Sequence, residues 1–315
     1  MLERPEDLRE DELLRTLGEW GLGDVSLTYA AVGFGDHHWV AGADRRWFVT
    51  VADLVTKGDT LDGLRAAMDT AYELRQRDGL DFVVAPLPTP AGQTVRPLGP
   101  RYAVSVFPFL DGVSGEFGRE WTPRERADVL GLLAVLHRQR PPAAAPVLRP
   151  ELGLRGLLEK ALAGSLQWAE GPFSDPARSL LREYAPVLRQ RLAEFDALVT
   201  ELDGAPVVTH GEPHPGNLLS HDGGYALVDW DTAGLAPPER DLWSVVRGPD
   251  DLARYAEISG RTPDPAALCL YRLRWDLEET CVYTDWFRSP HVRSPDMEEG
   301  WNGLVETLRN LAHER

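Results

Sequence analysis

Cysteine and lysine are almost absent from this 315-residue chain. Its two cysteines, Cys269 and Cys281, fall in one stretch of helical spacing. On a single helix they stand about 18 Å apart along the axis, far beyond the reach of a disulfide. A chain without a disulfide framework fits a reducing compartment, and the cytoplasm is the expected location. Only Lys57 and Lys160 are lysines, so arginine carries the remaining basic charge. Positive charge as a whole is outweighed, with a net charge of −17. That balance excludes a partner held through a polyphosphate backbone, so no nucleic acid is expected. An acidic surface serves solubility first and the steering of a cationic ligand second. No apolar run approaches the roughly 18 residues that a membrane span needs. The opening residues, Met1 to Asp7, lack the basic start of a secretory leader, so no membrane association is expected.

What is present is a chain long enough for about two domains, with 43% hydrophobic residues to fill their cores. Residues 6–20 carry Leu8, Leu13, Leu14 and Leu17 on one side of a helix that Gly21 stops. Strand-like runs follow at Ser26–Val32, Trp39–Ala41 and Arg46–Val51. Helical spacing then covers Thr60–Arg77, and two further strands are expected at Phe82–Ala85 and Tyr102–Phe107. Pro108-Phe109-Leu110-Asp111-Gly112 breaks this pattern, and what lies beyond is mainly helical. Thr122 caps a helix at Pro123–Arg140. Others are expected near 151–164, 176–203, 239–258, 264–287 and 297–313. The fold class is therefore α+β, with a small β-rich lobe over 1–107 and a larger helical lobe over 108–315.

The chemistry concentrates in VVTHGEPHPGNLLSHDGGYALVDWD, from Val207 to Asp231. A β-branched run delivers His210, Gly211 and Glu212 to a strand end, Asn217 follows five residues past the acid, and a hairpin later come Asp229 and Asp231. An acid, an amide and a second acid at strand or loop ends are what a magnesium-nucleotide phosphotransferase must assemble. The first acid orients a hydroxyl, while amide and carboxylate oxygens hold Mg²⁺ against phosphate oxygens. Glu212 is the candidate catalytic carboxylate with His210 beside it, and Asn217 and Asp229 are the candidate metal ligands. Asp231 stays open between a second metal, a substrate amine and a simple turn.

The spacing His-x-acid-x₄-Asn followed by Val-Asp-Trp-Asp resembles the aminoglycoside phosphotransferase family, which shares the fold of the protein kinases. The Gly-Phe-Gly loop, the Glu-Pro-His-Pro-Gly-Asn segment and a Trp-rich C-terminal helix look closest to its spectinomycin phosphotransferase-like branch. The resemblance implies a two-lobe, protein-kinase-like fold and a nucleotide donor, ATP or GTP, used with Mg²⁺. It implies an architectural His210, with Glu212 as the base where relatives usually carry Asp. The extra methylene moves that carboxylate outward by about 1.5 Å. Gly33, Phe34 and Gly35 resemble the loop that positions the nucleotide, where glycine lets the backbone approach phosphates. His37 and His38 follow directly, open between a phosphate contact and no special role. Phe107, Phe109 and Leu110 correspond to the hinge that sandwiches the adenine ring.

The resemblance fails at one position. Thr50 stands where kinase-like enzymes place a phosphate-binding lysine, which leaves Glu73 without its expected partner. Lys57, Arg45 and Arg46 are the candidate substitutes, an arginine being able to meet phosphate bidentately. In the C-terminal helix, Leu270, Leu273, Leu277 and Cys281 form a core stripe, with Trp275, Glu279, Val282 and Trp286 on the other side. A carboxylate between two indoles suits a cationic acceptor, although an indole stripe also suits packing. Asp241 matches a family residue that braces the catalytic loop. The expected activity is O-phosphorylation of a small cationic hydroxylated molecule, an aminoglycoside or aminocyclitol antibiotic first. A small-metabolite kinase of choline, homoserine or sugar type, and a kinase-fold protein that binds without transfer, are the alternatives.

Overall fold

The computed structural model describes residues 1–57, 60–221 and 223–313, apart from the side chains of Thr56 and Lys57. The elements run α1 (Glu10–Leu17), β1 (Leu27–Ala30), β2 (His37–Ala41), β3 (Trp47–Asp53), α2 (Leu54–Lys57), α3 (Leu61–Asp78), β4 (Val95–Leu98), β5 (Tyr102–Pro108) and β6 (Val113–Ser114). Then come α4 (Pro123–Leu136), α5 (Arg155–Leu162), α6 (Ser174–Glu201), β7 (Val207–Thr209), β8 (Leu218–His221), β9 (Gly224–Leu227) and β10 (Gly234–Ala236). The chain ends in α7 (Glu239–Leu242), α8 (Pro249–Ser259), α9 (Pro265–Arg288) and α10 (Pro295–Ala312). Sheet-rich N-terminal structure followed by a helical C-terminal part is the α+β class expected. No helix among the described residues is long and apolar enough to cross a membrane.

Two compact units form, and neither is a continuous stretch of chain. One joins Met1–Leu148 to Ala205–Pro263, the other joins Arg149–Gly204 to Asp264–Arg315. The division expected at 107/108 falls inside the first unit, at the end of β5.

In the first unit a five-stranded antiparallel sheet has the order β1-β2-β3-β5-β4. Strand alternation gives it two different faces. Trp39, Val49, Val51, Val104 and Val106 pack on Leu13 and Leu17 of α1. The opposite face carries Phe48, Ala52, Ala103 and Phe107, which cluster with Leu64 and Met68 of α3 and with Ala226 and Val228 of the β8–β9 hairpin. This second face therefore fronts the segment that leads into Asp229. Thr122 closes a capping box with Glu125 at the start of α4, as its sequence suggests.

Two expectations change, and a strand forms where none was expected. Phe82–Ala85 makes no named strand; its backbone exchanges hydrogen bonds with Leu227 through Phe82 and Val84, and only Val83 bridges to that residue. Val95–Leu98 is a strand despite Arg96 and Pro97, because at the sheet edge a proline need not donate to the ladder. The helix expected near 239–258 is two: α7 stops at Leu242, and Pro249 opens α8 at its first position.

In the second unit α6, α9 and α10 share a core with Leu158 of α5. Leu270, Leu273, Leu277 and Cys281 all lie in it, as their spacing suggests. Both cysteines are free thiols, Cys269 exposed and Cys281 buried.

Candidate active site

Glu212 leaves β7 through two residues whose backbones are clamped from below. Asp241, on α7, accepts the His210 N–H at 2.9 Å and the Gly211 N–H at 2.6 Å. Its Oδ2 also accepts from His137 Nε2 at 2.9 Å, and the Tyr255 hydroxyl lies 2.8 Å from the other nitrogen of that ring. Asp241 and Tyr255 are fully buried and His137 nearly so. Burial alone would raise the Asp241 pKa, but the His137 hydrogen bond, with help from the Arg240 charge, brings it below its usual value. The carboxylate is thus a fixed anchor for the loop.

Gly211 adopts φ 106°, a conformation that side chains rarely tolerate. A Cβ built there would collide with the Arg240 guanidinium. Arg240 cannot easily yield, since it donates to Thr209 Oγ1 and the Thr232 carbonyl, each at 2.9 Å. Gly211→Ala is accordingly expected to cost about 1–3 kcal/mol, read as a lowered denaturant midpoint. An unchanged midpoint would show that the loop has slack there.

His210 is fully buried. Its Nε2 lies 2.8 Å from the Val228 carbonyl and must donate to it, so Nδ1 accepts the Glu212 N–H at 3.2 Å. Burial lowers its pKa, against a smaller opposing pull from Asp241. A neutral ring with both nitrogens engaged is a rivet joining the Glu212 loop to the strand before Asp229, not a proton carrier. This geometry favours the architectural role over the catalytic one for His210.

Asn217 precedes β8 and Asp229 lies just beyond β9, across a hairpin that pairs Leu218 with Leu227. The Val228 N–H donates to the Asn217 carbonyl at 3.0 Å, so the two candidate metal ligands sit on neighbouring chain ends. Asn217 Nδ2 donates to the Glu212 carbonyl at 3.1 Å and lies 3.2 Å from His214 Nε2. Asp229 has φ 64° and is the one non-glycine with positive φ among the described residues. Aspartate tolerates that region better than most residues. Strain of this kind persists where the surroundings impose it and gathers at functional sites. Among the described residues no three His, Cys, Asp or Glu side chains group to hold a metal. The Asn217–Asp229 pair instead supplies two hard oxygen donors, which suits Mg²⁺ completed by phosphate and water oxygens.

His214 escaped the sequence reading. Burial lowers its pKa to about 4. Its Nε2 approaches Glu212 Oε2 at 3.9 Å, but an uncharged ring makes this a contact rather than an ion pair. Nothing in its spacing separates it from a loop histidine. Asp231 is half-buried two residues past Asp229.

On the sheet, Gly33 and Gly35 have φ 71° and 101°, and the Phe34 side chain between them is exposed. Thr50 pairs in register with His38 and with Ser105. Phe107 is buried beside Phe48, while Leu110 joins the cluster that contains Val228. Arg46 lies flat on Phe109, 4.0 Å from its ring centre, and reaches Asp111 at 2.7 Å. Arg45 covers Trp47. Both arginines are therefore engaged at the strand entry, away from a lysine's place at Thr50. Glu73 pairs with Arg77 one turn on, at 3.7 Å. The Lys57 side chain lies outside the described residues.

In the second unit, Glu279 is half-buried on α9. Burial raises its pKa, opposed by a hydrogen bond from the Tyr283 hydroxyl and aided by the charges of Asp276 and Glu278. Trp275 and Trp286 are half-buried too. Trp286 meets the edge of Tyr283 and lies against Gly300 of α10, where a Cβ would be 3.3 Å from its ring. Packing claims at least one side of that indole.

Residues 31–271 match the profile of the phosphotransferase enzyme family known as APH. The chain belongs to this family. Along its length this phosphotransferase is 30% identical over 261 residues to protein StrN of Streptomyces griseus, covering 76% of each chain. A shorter match, 36% identical over 109 residues, links 34% of the chain to 22% of a glucosamine kinase from Streptacidiphilus jiangxiensis. Among solved structures, a spectinomycin phosphotransferase bound to ADP and spectinomycin superposes with a TM-score of 0.74 at 16% identity, covering 98% of both chains. A microcompartment-associated aminopropanol kinase reaches 0.65 at 14% identity, covering 96% of this chain and 97% of its own. These structures establish the kinase-like fold of the phosphotransferase.

Proposed function

We propose that this phosphotransferase moves the γ-phosphoryl group of ATP or GTP to a hydroxyl of a small cationic molecule, foremost an aminoglycoside or aminocyclitol antibiotic. The observation that carries this reading is the joined pair of loops: Asn217 tied to the Glu212 carbonyl, and His210 tying Glu212 to the strand before Asp229. Asn217 and Asp229 are assigned to Mg²⁺, which when bound neutralises charge on the donor phosphates. Glu212 orients the acceptor hydroxyl and takes its proton, and the phosphoryl group passes directly without an enzyme-bound intermediate. The first 107 residues are assigned to the nucleotide, with Gly33–Gly35 over its phosphates and Phe107, Phe109 and Leu110 at its base. Trp275, Glu279 and Trp286 of α9 are assigned to the acceptor, as is Asp231. The reaction needs neither nucleic acid nor membrane, and a cytoplasmic location suits it.

Support for an amine-bearing acceptor comes from the names of similar proteins, a glucosamine kinase and an aminopropanol kinase among them. The glucosamine kinase match favours a second reading, in which the acceptor is an amino sugar of metabolism. Nucleotide turnover measured against a panel of aminoglycosides, aminocyclitols and amino sugars, with the product followed by phosphorus NMR, separates these. Turnover with amino sugars alone selects the second reading. Tight binding without transfer under varied metals and nucleotides would make the chain a sequestering protein. Glu279→Gln is expected to raise the KM of a cationic acceptor about tenfold and leave the nucleotide KM alone. An unchanged acceptor KM removes Glu279 from the pocket.

A further inference from the structure

Thr50 occupies the strand position of a phosphate-binding lysine, and its hydroxyl is too short to stand in for one. Its neighbour in register is His38 on β2. The two side chains meet, with Thr50 Oγ1 3.2 Å from His38 Nδ1. If the hydroxyl donates, Nδ1 is the acceptor and Nε2 must carry the ring proton. That Nε2 points at the glycine loop, since a Cβ on Gly33 would lie 3.2 Å from it. The imidazole is stacked on Phe48, with ring centres 5.0 Å apart. Phe48 belongs to the sheet face that also bears Phe107 and fronts Val228, the residue before Asp229. His38 is half-buried there, not splayed into solvent. Its neighbour His37 is buried near the Tyr29 hydroxyl instead.

We infer that His38 is the phosphate-binding residue of this chain, its Nε2–H donating to an α- or β-phosphate oxygen of the donor nucleotide beneath the Gly33–Gly35 loop. Thr50 acts through it, holding the tautomer that keeps the donor pointed at the ligand. The sheet thus divides between two short side chains the task that one long lysine performs elsewhere. The inference rests on the nucleotide-donor reading given above.

Calorimetry with Mg²⁺ and ADP (GDP if guanine is preferred) against the bare nucleoside tests it. His38→Ala is expected to weaken the diphosphate on the order of 10- to 100-fold, with nucleoside affinity unchanged and the fold retained. His38→Gln, whose carboxamide N–H reaches a similar place, recovers part of the loss, and Thr50→Val shows a smaller loss of the same kind. In ¹⁵N-histidine NMR of the parent chain, the His38 Nε2 resonance moves with the diphosphate and not with the nucleoside. Diphosphate affinity within twofold of the parent in His38→Ala overturns the inference, as does an equal loss for diphosphate and nucleoside. Failure of the parent chain to bind either nucleotide is a different result, visible before any substitution, and removes the donor reading together with the inference.

Discussion

Glu212→Gln is expected to lower kcat by about 10²- to 10⁴-fold, the usual share of a general base. The change keeps the length of the side chain and removes its capacity to take a proton. Because the Glu212 backbone is pinned by His210 Nδ1 and by Asn217 Nδ2, the loop has little freedom to compensate. The same rigidity makes Glu212→Asp informative. On this backbone the shorter acid withdraws the carboxylate by about 1.5 Å, and a loss of roughly 10²-fold follows from misplacement alone. Asp229→Ala is expected to abolish measurable transfer. Asp229→Asn separates the two properties of that residue, since asparagine accepts the left-handed φ of 64° but loses the charge. Magnesium titrations should show Asn shifting the metal requirement upward while the fold is retained. Folded Glu212→Gln with kcat within threefold of the parent would mean that another group takes the proton.

The largest effect on stability is expected from Asp241→Ala. Truncation strands the N–H groups of His210 and Gly211 and the Nε2–H of His137, all buried, without their acceptor. Loss of one member of such a network costs about 3–5 kcal/mol, a large part of the stability of a typical domain. The pH dependence follows from its lowered pKa. A carboxylate whose folded pKa lies below the unfolded value of 3.8 adds stability above that value and loses it as pH falls through the folded pKa. Asp241→Asn should therefore flatten the acid limb of the stability profile as well as lower it at pH 7. Chemical denaturation across pH 2–7 reads both. A parent and variant that lose stability in parallel below pH 4 would place the acid sensitivity elsewhere.

The local structure of the Val207–Asp231 stretch was legible because its residues are close in sequence. Between Val207 and Asp231 the chain makes one strand, one turn and one hairpin, so spacing fixes which ends Glu212, Asn217 and Asp229 occupy. The core stripe of α9 was legible for the same reason, one helix period deciding that Leu270, Leu273, Leu277 and Cys281 face together. The bracing network was only half visible. Asp241 could be named from resemblance, but His137 lies 104 residues from it and 118 from Tyr255, and no spacing rule spans such distances. His38 was visible as a histidine after a glycine loop, without its function. Its meeting with Thr50 depends on the register of β2 on β3, which a sequence does not display.

Local order therefore carried the fold class and the placement of Glu212, Asn217 and Asp229 at strand and loop ends. These are properties of strands, turns and helical periods a few residues long, and neighbouring side chains suffice to set them. Folding in three dimensions settled how the catalytic loop is held, that His210 joins two loops, and which ring stands beside Thr50. Those outcomes depend on burial and on contacts between distant segments, where the loss of water rather than chain proximity makes each hydrogen bond obligatory.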